Sequence, residues 1–272
     1  MDKKIAHNTH FKSPTQARWP VRFKCHVMWT PALGASNVER MMLTLEQLSE
    51  EVKILSEQIV DICKKDEEIN SLYLGTQIYF SPIKKETDLM FIGINPGAGF
   101  YNGTGKRVMN FCPLEKSEYE TEEYNLQNDW VTIFGDKYEI NNLELLFNSF
   151  KTNCSFFATK DSKSLTLLKS KLKKYFGNKI ENKEKEWISK IIDYVDPKLI
   201  ICEGFAAYNN LLNLISNKDI KVNETEKGNV RCSYLNNYIP IVGFKRNISS
   251  RFVDIEEVVD TLLSYMQSVQ IL

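Results

Sequence analysis

Residues 91–100 read FIGINPGAGF, an apolar run that breaks at an asparagine. Pro96 removes a backbone N–H donor and biases Asn95 away from helical geometry. Gly97 and Gly99 allow backbone angles and close approaches that side chains forbid. The pattern predicts that the amide of Asn95 stands at the end of a buried strand on a stiff loop without bulky side chains. It is therefore a candidate to contact a ligand.

Outward from this stretch, short apolar strands alternate with amphipathic helices. Residues 89–94 form a nearly continuous apolar run, which is typical of a strand that is buried on both faces. Alternation of this kind favours a parallel sheet with helices on both of its faces. The sequence therefore predicts an α/β fold: a three-layer α/β/α sandwich with a central, mainly parallel sheet of about four strands.

Helical spacing of apolar residues begins at Thr44. Before it, residues 1–42 contain three prolines and no clear periodicity, so we interpret them as an irregular N-terminal arm, with a single domain at residues 43–272. Further elements are predicted as strands at 154–158, 198–202, 230–235 and 238–242, and as helices at 143–150, 161–176, 183–195, 205–215 and 254–268. Residues 102–142 are expected to be a long surface segment with short elements.

Composition excludes some classes of protein. Lys and Arg balance Asp and Glu at 35 each, so a globally basic nucleic-acid binder is excluded, although a local basic face is not. No two of the six cysteines lie within 29 positions of each other, and zinc or iron–sulfur sites normally show at least one close pair. We expect no metal and no cofactor. No apolar run reaches membrane-spanning length, so we expect a cytoplasmic protein, associated with the nucleoid in a bacterium or nuclear in a eukaryote.

Ligand sites on parallel sheets lie beyond the carboxyl ends of the strands. The residues that follow the predicted strands are therefore the first candidates for a site. They are Asn95, Asn153, Glu203-Gly204 and Lys245-Arg246-Asn247.

These segments together resemble the uracil-DNA glycosylase superfamily, especially its mismatch-specific and thymine-DNA branches. Gly93-Ile-Asn-Pro-Gly97 is similar to the first motif of that family, and Lys151-Thr-Asn-Cys-Ser-Phe-Phe157 to its base-reading strand. Residues 197–208, PKLIICEGFAAY, resemble a later strand–glycine–helix unit, and residues 239–251, IPIVGFKRNISSR, stand where the family has its second catalytic loop. The resemblance covers residues 88–268.

The resemblance implies a three-layer α/β/α fold and hydrolysis of a base–sugar bond in DNA, on a nucleotide flipped out of the duplex. Asn95 would then orient water or hold the sugar, and Asn153 would read the edge of the base. The aromatic ring that stacks on the base would be Phe111, with Phe100 and Tyr101 as rivals, and Ile94 would also contact the base. Contacts to DNA would come from Gly97, Gly99, Lys106, Ile248, Ser249 and Arg251.

The last loop departs from the family pattern. Many relatives carry His-Pro-Ser there, whereas this chain has Lys245-Arg246-Asn247 and no histidine beyond His26. Either Lys245, Arg246 and Asn247 take over the catalytic role, with Ile248 as a wedge in the vacated base stack, or the loop has lost catalysis. The alternative without a functional role is a basic turn that is simply exposed to solvent.

Three functions therefore stay open. The preferred one is a monofunctional DNA glycosylase acting on a uracil-like, mismatched or modified base. The second is a catalytically silent DNA-binding module of the same fold. The third is a nucleoside or nucleotide N-glycosidase, which the lysine-rich stretch 163–185 disfavours because it suggests a longer polyanion.

Overall fold

The computed structural model describes residues 37–97, 106–215, 221–245 and 253–272, with side chains from Thr44 onward. The helices are α1 Asn37–Cys63, α2 Glu67–Leu72, α3 Glu118–Thr121, α4 Asn125–Phe134, α5 Leu143–Phe147, α6 Ser162–Phe176, α7 Lys179–Val195, α8 Phe205–Ile215 and α9 Ile255–Ser268. The strands are β1 Gly75–Gln77, β2 Leu89–Gly93, β3 Val108–Asn110, β4 Phe150–Asn153, β5 Phe157–Ala158, β6 Leu199–Cys202, β7 Asn223–Glu224, β8 Val230–Leu235 and β9 Ile239–Phe244.

The main sheet has six strands in the order β4-β2-β6-β9-β8-β7. The first four are parallel, β8 is antiparallel to β9, and β7 is antiparallel to β8. The predicted α/β class is therefore confirmed, but the predicted number of about four strands is wrong. The extra strands are β8 and the two-residue β7, which join the four parallel strands because antiparallel strands pair through a short turn without a crossover helix.

A second, smaller sheet has the order β3-β1-β5. Strand β1 is parallel to β3 and antiparallel to β5. The segment after β1 then runs along the outer edge of β4. Tyr79 forms an isolated bridge with Thr152, the Phe80 N–H donates to the Lys151 carbonyl at 3.0 Å, and the Lys151 N–H donates to Ser81 Oγ at 2.9 Å.

Alternating side chains of the main sheet enter two separate apolar cores. Met90 and Ile92 belong to a core with residues of α1, α2, α6, α7 and α8. Leu89 and Phe91 belong to the other core, with residues of α3, α4, α5 and α9. Helices therefore cover both faces of the sheet, because each strand buries its odd and even residues in opposite directions.

Helix α1 begins at Asn37, seven residues before the Thr44 at which helical spacing becomes visible in the sequence. Residues 37–42 of the predicted arm are therefore helical, while residues 1–36 lie outside the described residues. None of the described helices is long and apolar enough to cross a lipid bilayer.

Candidate functional site

The register of three parallel strands brings the candidate residues together. Gly93, the last residue of β2, lies beside Asn153 of β4, and Ile92 lies beside Cys202 of β6. Glu203 follows Cys202, and its N–H donates to the Ile92 carbonyl at 2.9 Å. Asn153, Gly93 and Glu203 therefore form a row across the carboxyl ends of the strands, where sites on parallel sheets are found.

These residues line a cavity of about 340 Å³. Its other described lining residues are Ile94, Asn95, Gly97, Leu126, Thr159, Lys160, Asp161 and Ser162. Leu126 comes from α4, and the last two stand at the start of α6, so the cavity lies between the sheet edge and the amino end of a 15-residue helix. The amino end of a helix carries a partial positive charge.

Gly93 forms the floor of the cavity. A Cβ atom added there would lie 2.1 Å from Asn153 Oδ1 and 3.1 Å from Glu203 Oε2. The amide oxygen of Asn153 and the outer carboxylate oxygen of Glu203 therefore converge above the same backbone position. Any side chain at residue 93 would displace them.

Asn95 is fixed through one end of its amide. Its Nδ2 donates to Thr159 Oγ1 at 3.0 Å, to the Pro96 carbonyl at 2.9 Å and, more weakly, to the Phe157 carbonyl at 3.4 Å. Thr159 in turn donates to the Asp161 carbonyl at 2.8 Å. With Nδ2 bound in this way, Oδ1 is the atom of Asn95 that can accept a hydrogen bond from water or a ligand.

Asn153 is 4% exposed, and its amide forms no hydrogen bond with another residue in the described part of the chain. A buried amide without partners loses the hydrogen bonds that it makes to water in the unfolded chain. Since the side chain borders the cavity, a ligand that enters would supply the missing partners. An amide offers both a donor and an acceptor, which suits it to read a polar edge.

Glu203 is 7% exposed and belongs to a buried cluster of charged groups beneath the cavity. Its Oε1 accepts hydrogen bonds from Lys151 Nζ at 2.7 Å and from the Tyr119 hydroxyl at 2.6 Å. Lys151 also pairs with Glu118 Oε1 at 2.5 Å, and the Tyr124 hydroxyl donates to that same oxygen at 2.6 Å. The cluster has one ammonium for two carboxylates, so its formal charge is negative.

Burial and neighbouring charges shift the pKa of two groups in this cluster, Lys151 and Tyr119. Burial alone would lower the pKa of Lys151, but Glu118 and Glu203 outweigh it and raise that pKa well above its usual range. Burial, followed by the charge of Glu203, raises the pKa of the Tyr119 hydroxyl well above its usual range. Lys151 therefore stays an ammonium and Tyr119 a neutral hydroxyl, and both donate to Glu203.

The structure brings together some of the predicted site residues and not others. Ile94, Asn95, Gly97 and Asn153 line the cavity. Phe111 packs against the core that contains α1 and is not among the described lining residues. Lys106 and Lys245 are also not among the described lining residues. Lys106 is exposed, and the backbone N–H of Lys245 donates to the Asn229 carbonyl at 2.9 Å.

The remaining predicted residues lie outside the described residues. They are Gly99 with the rival aromatics Phe100 and Tyr101, and Arg246, Asn247, Ile248, Ser249 and Arg251 of the last loop. Their contributions stay predictions from the sequence.

Sequence reasoning missed three contributors to the site. Glu203 was recognised as a residue at a strand end but received no role, although its position after β6 was the signal. Lys151, the second residue of β4, precedes Asn153 by two, so both side chains point to the same face of the sheet. Thr159, which holds Asn95, had no signal in the sequence.

The chain matches no protein-family model, and no curated protein gives a significant match.

Proposed function

We propose that the chain is a DNA glycosylase that hydrolyses the N-glycosidic bond of a flipped uracil-like, mismatched or modified base. The observation that carries the proposal is the convergence of Asn95, Asn153 and Glu203 on one cavity of about 340 Å³ at the carboxyl ends of adjacent parallel strands. This volume falls within the range of small-ligand pockets, about 300–1,000 Å³. The resemblance of the strand-end motifs to the uracil-DNA glycosylase superfamily, with its three-layer α/β/α sandwich, is the second support.

The chemistry gives Asn95 and Asn153 different roles. In hydrolysis the bond between the sugar C1′ and the base nitrogen breaks, the base nitrogen keeps the electron pair and gains a proton, and water supplies hydroxide to C1′. Asn95 Oδ1 would accept a hydrogen bond from that water and fix its direction, while its Nδ2 stays bound to Thr159. Positioning of this kind lowers the barrier because the water is already oriented when the bond breaks.

Asn153 would hold the base by its polar edge, since its unpartnered amide borders the cavity. Lys245 and Arg246 would contribute positive charge from the last loop, either to the departing base or to DNA phosphates, and Ile248 would fill the vacated stack. Phe111, Phe100 and Tyr101 remain candidates to stack on the base.

A nucleoside or nucleotide N-glycosidase is the second candidate, and one observation favours it. The lysine-rich stretch 163–185 is extensively paired with acidic side chains. Lys169 pairs with Glu184, Lys171 with Glu68, Lys173 with Glu181, and Lys183 with both Glu51 and Glu186. A stretch neutralised in this way attracts a polyanion less than its composition suggests, so the preference for long DNA over a small nucleoside is weakened.

Base release from a panel of substrates separates the candidates. The unmutated protein is incubated with single- and double-stranded oligonucleotides that contain uracil, mismatched bases or modified bases, and with the corresponding free nucleosides. Mass spectrometry then detects free base, and alkaline cleavage detects abasic sites. We expect release from at least one oligonucleotide, whereas release only from nucleosides would favour the second candidate.

Asn95→Ala tests the catalytic assignment. We expect turnover to fall by about 100-fold or more with the fold intact, because the water would lose its orienting acceptor. Asn210→Ala is the matched control, since Asn210 lies exposed on α8 away from the cavity, and we expect it to leave turnover unchanged. If no substrate releases a base while DNA binds with a steep salt dependence, the chain is a silent DNA-binding module.

A further inference from the structure

We infer that the cavity selects a base with an exocyclic amino group next to an unprotonated ring nitrogen, as in adenine and cytosine, over the keto bases hypoxanthine and uracil. The inference rests on the proposed function and restricts its substrates to mismatched or modified bases that carry an amino group, which excludes the uracil-like bases. It is carried by Glu203 Oε2, an acceptor that lies 3.1 Å from the position of the missing Cβ of Gly93, beside the Asn153 amide, whose Oδ1 lies 2.1 Å from the same position.

Glu203 Oε2 is a hydrogen-bond acceptor in every orientation of the carboxylate, whereas the Asn153 amide presents an acceptor or a donor depending on its rotation. The carboxylate of Glu203 is held through Oε1, which already receives the Lys151 ammonium at 2.7 Å and the Tyr119 hydroxyl at 2.6 Å. No described residue donates to Oε2, which faces the floor of the cavity. Since the donors on Oε1 fix the orientation of the carboxylate, Oε2 is presented in one direction to whatever enters.

An amino group matches this pair because it carries two hydrogens, one for each oxygen. The Nδ2 of Asn153 is then left to donate to the neighbouring ring nitrogen, as asparagine does with adenine. A keto base presents the opposite pattern, with a carbonyl oxygen next to a ring N–H. The Asn153 amide has no hydrogen-bond partner in the described part of the chain, so it can turn its Nδ2 to that oxygen. Glu203 Oε2 has no hydrogen to offer, so the carbonyl oxygen and the carboxylate oxygen would face each other unpaired.

The charge of the buried cluster also favours an amino base over a keto base. Glu118 and Glu203 outnumber Lys151, so the cluster is formally negative, and Glu203 is the member that reaches the cavity. A carboxylate attracts the positive edge of an amino group and repels the partial negative charge of a carbonyl oxygen. A damaged or mispaired adenine or cytosine would satisfy the pocket and would also cost less to flip than a paired one.

Free bases in matched pairs test the selection directly. Adenine against hypoxanthine, and cytosine against uracil, are titrated into the unmutated protein and followed by ligand-observed NMR. A good hydrogen-bonded base contact discriminates by roughly 10- to 100-fold, so we expect the amino member of each pair to bind at least about 10-fold more tightly. Equal binding, tighter binding of the keto member, or no binding of either would overturn the inference.

Two glutamate variants locate the source of the selectivity. Glu203→Gln should reduce the preference for the amino base to about threefold or less, because the neutral amide can turn a donor toward a carbonyl. Glu118→Gln is the matched control: it removes one carboxylate charge from the same cluster, but Glu118 is not among the described lining residues of the cavity, so most of the preference should persist. Loss of the preference in both variants would assign it to the general charge and overturn the role of Oε2. If either variant fails to fold, the comparison on the unmutated protein still decides.

Oligonucleotides that carry the same base pairs in one sequence context separate this inference from the proposed function. Release of keto bases in preference to amino bases would overturn the inference and leave the glycosylase proposal standing. Selective binding of free amino bases without release from any DNA would support the inference and defeat the glycosylase proposal.

Discussion

Replacing Gly93 by alanine tests whether the floor of the cavity is built as described. The added Cβ would lie 2.1 Å from Asn153 Oδ1, well inside van der Waals contact, so the Asn153 side chain must move. Glu203 Oε2, at 3.1 Å, would have to yield by a smaller amount. Overpacking a tight interior typically costs about 1–3 kcal/mol, so we expect the free energy of unfolding of Gly93→Ala to fall by about that much.

Gly93→Ala should also reduce base release. Displacing Asn153 removes its contact with the base and fills the space above Gly93, so base release should fall by about 100-fold, equivalent to about 2.7 kcal/mol in the barrier. Single-turnover kinetics measure the rate of base release, and urea unfolding followed by circular dichroism measures the free energy of unfolding. Free-base binding by NMR serves as an independent measure of the cavity.

Two further variants control the experiment. A Cβ at Gly97 would meet no atom within 4 Å, so Gly97→Ala should change the free energy of unfolding by less than about 0.5 kcal/mol. The double variant Gly93→Ala/Asn153→Ala removes the oxygen that clashes, so it should recover part of the lost stability without recovering base binding. Unchanged stability and unchanged base binding in Gly93→Ala would refute the packing of Asn153 on Gly93.

Three other variants probe the groups around the cavity. Lys151→Met leaves two buried carboxylates uncompensated and should lower the free energy of unfolding by about 3–5 kcal/mol, measured by urea unfolding; a loss under 1 kcal/mol would contradict the buried cluster. Thr159→Val removes the one side-chain acceptor described for Asn95 Nδ2, so turnover should fall by about 10-fold with little change in KM, and a double-mutant cycle with Asn95→Ala should be non-additive. Burial raises the pKa of Glu184 despite its pairing with Lys169, so the native state holds that proton more tightly than the unfolded chain does. Stability from this group is present below the unfolded pKa and is lost as pH rises through the folded pKa. In Glu184→Gln, which cannot ionise, the free energy of unfolding should therefore fall less, or rise more, as pH increases from the unfolded pKa through the folded pKa; an unchanged pH dependence in urea unfolding would exclude a contribution from Glu184.

The sequence was most informative where one local pattern decides one local structure. The apolar run ending at the Asn-Pro-Gly turn predicted β2, and helix α8 has the predicted bounds Phe205–Ile215. The turn at Asn236-Asn237 is also confirmed as the connection between β8 and β9. Both residues have positive φ, 52° and 67°, a conformation that asparagine tolerates better than most residues.

Other elements depend on contacts that no local pattern shows. Residues 154–158 were predicted as a strand, but β4 ends at Asn153 and only Phe157–Ala158 pair, in the smaller sheet. Helix α4 was hidden in a segment expected to lie on the surface, although Trp130 within it is fully buried against the sheet. The polar residues around this helix obscured its apolar periodicity in the sequence, and its buried face is evident only from its packing on the sheet.

In the candidate site, too, some residues could be predicted from local sequence and others depend on tertiary contacts. Asn95 and Asn153 follow or end strands and could be found by that position alone. The pairing of Lys151 with Glu203 joins residues 52 positions apart, and each would have been expected on the surface because of its charge. Register between strands, which brings them together, is not readable from either segment by itself.

The segment along β4 has a consequence for how the molecule behaves in concentrated solution. A strand at the border of a sheet offers free N–H and C=O groups that can recruit a strand from another molecule and begin aggregation. Here the hydrogen bonds of Phe80 and Ser81 occupy that border at Lys151, and at the opposite border β7 has only two residues, both exposed and one of them charged. Within the described part of the chain, the main sheet therefore ends on both sides in a form that resists intermolecular strand addition, and the border next to Asn153 stays closed to such growth while the cavity above it stays open.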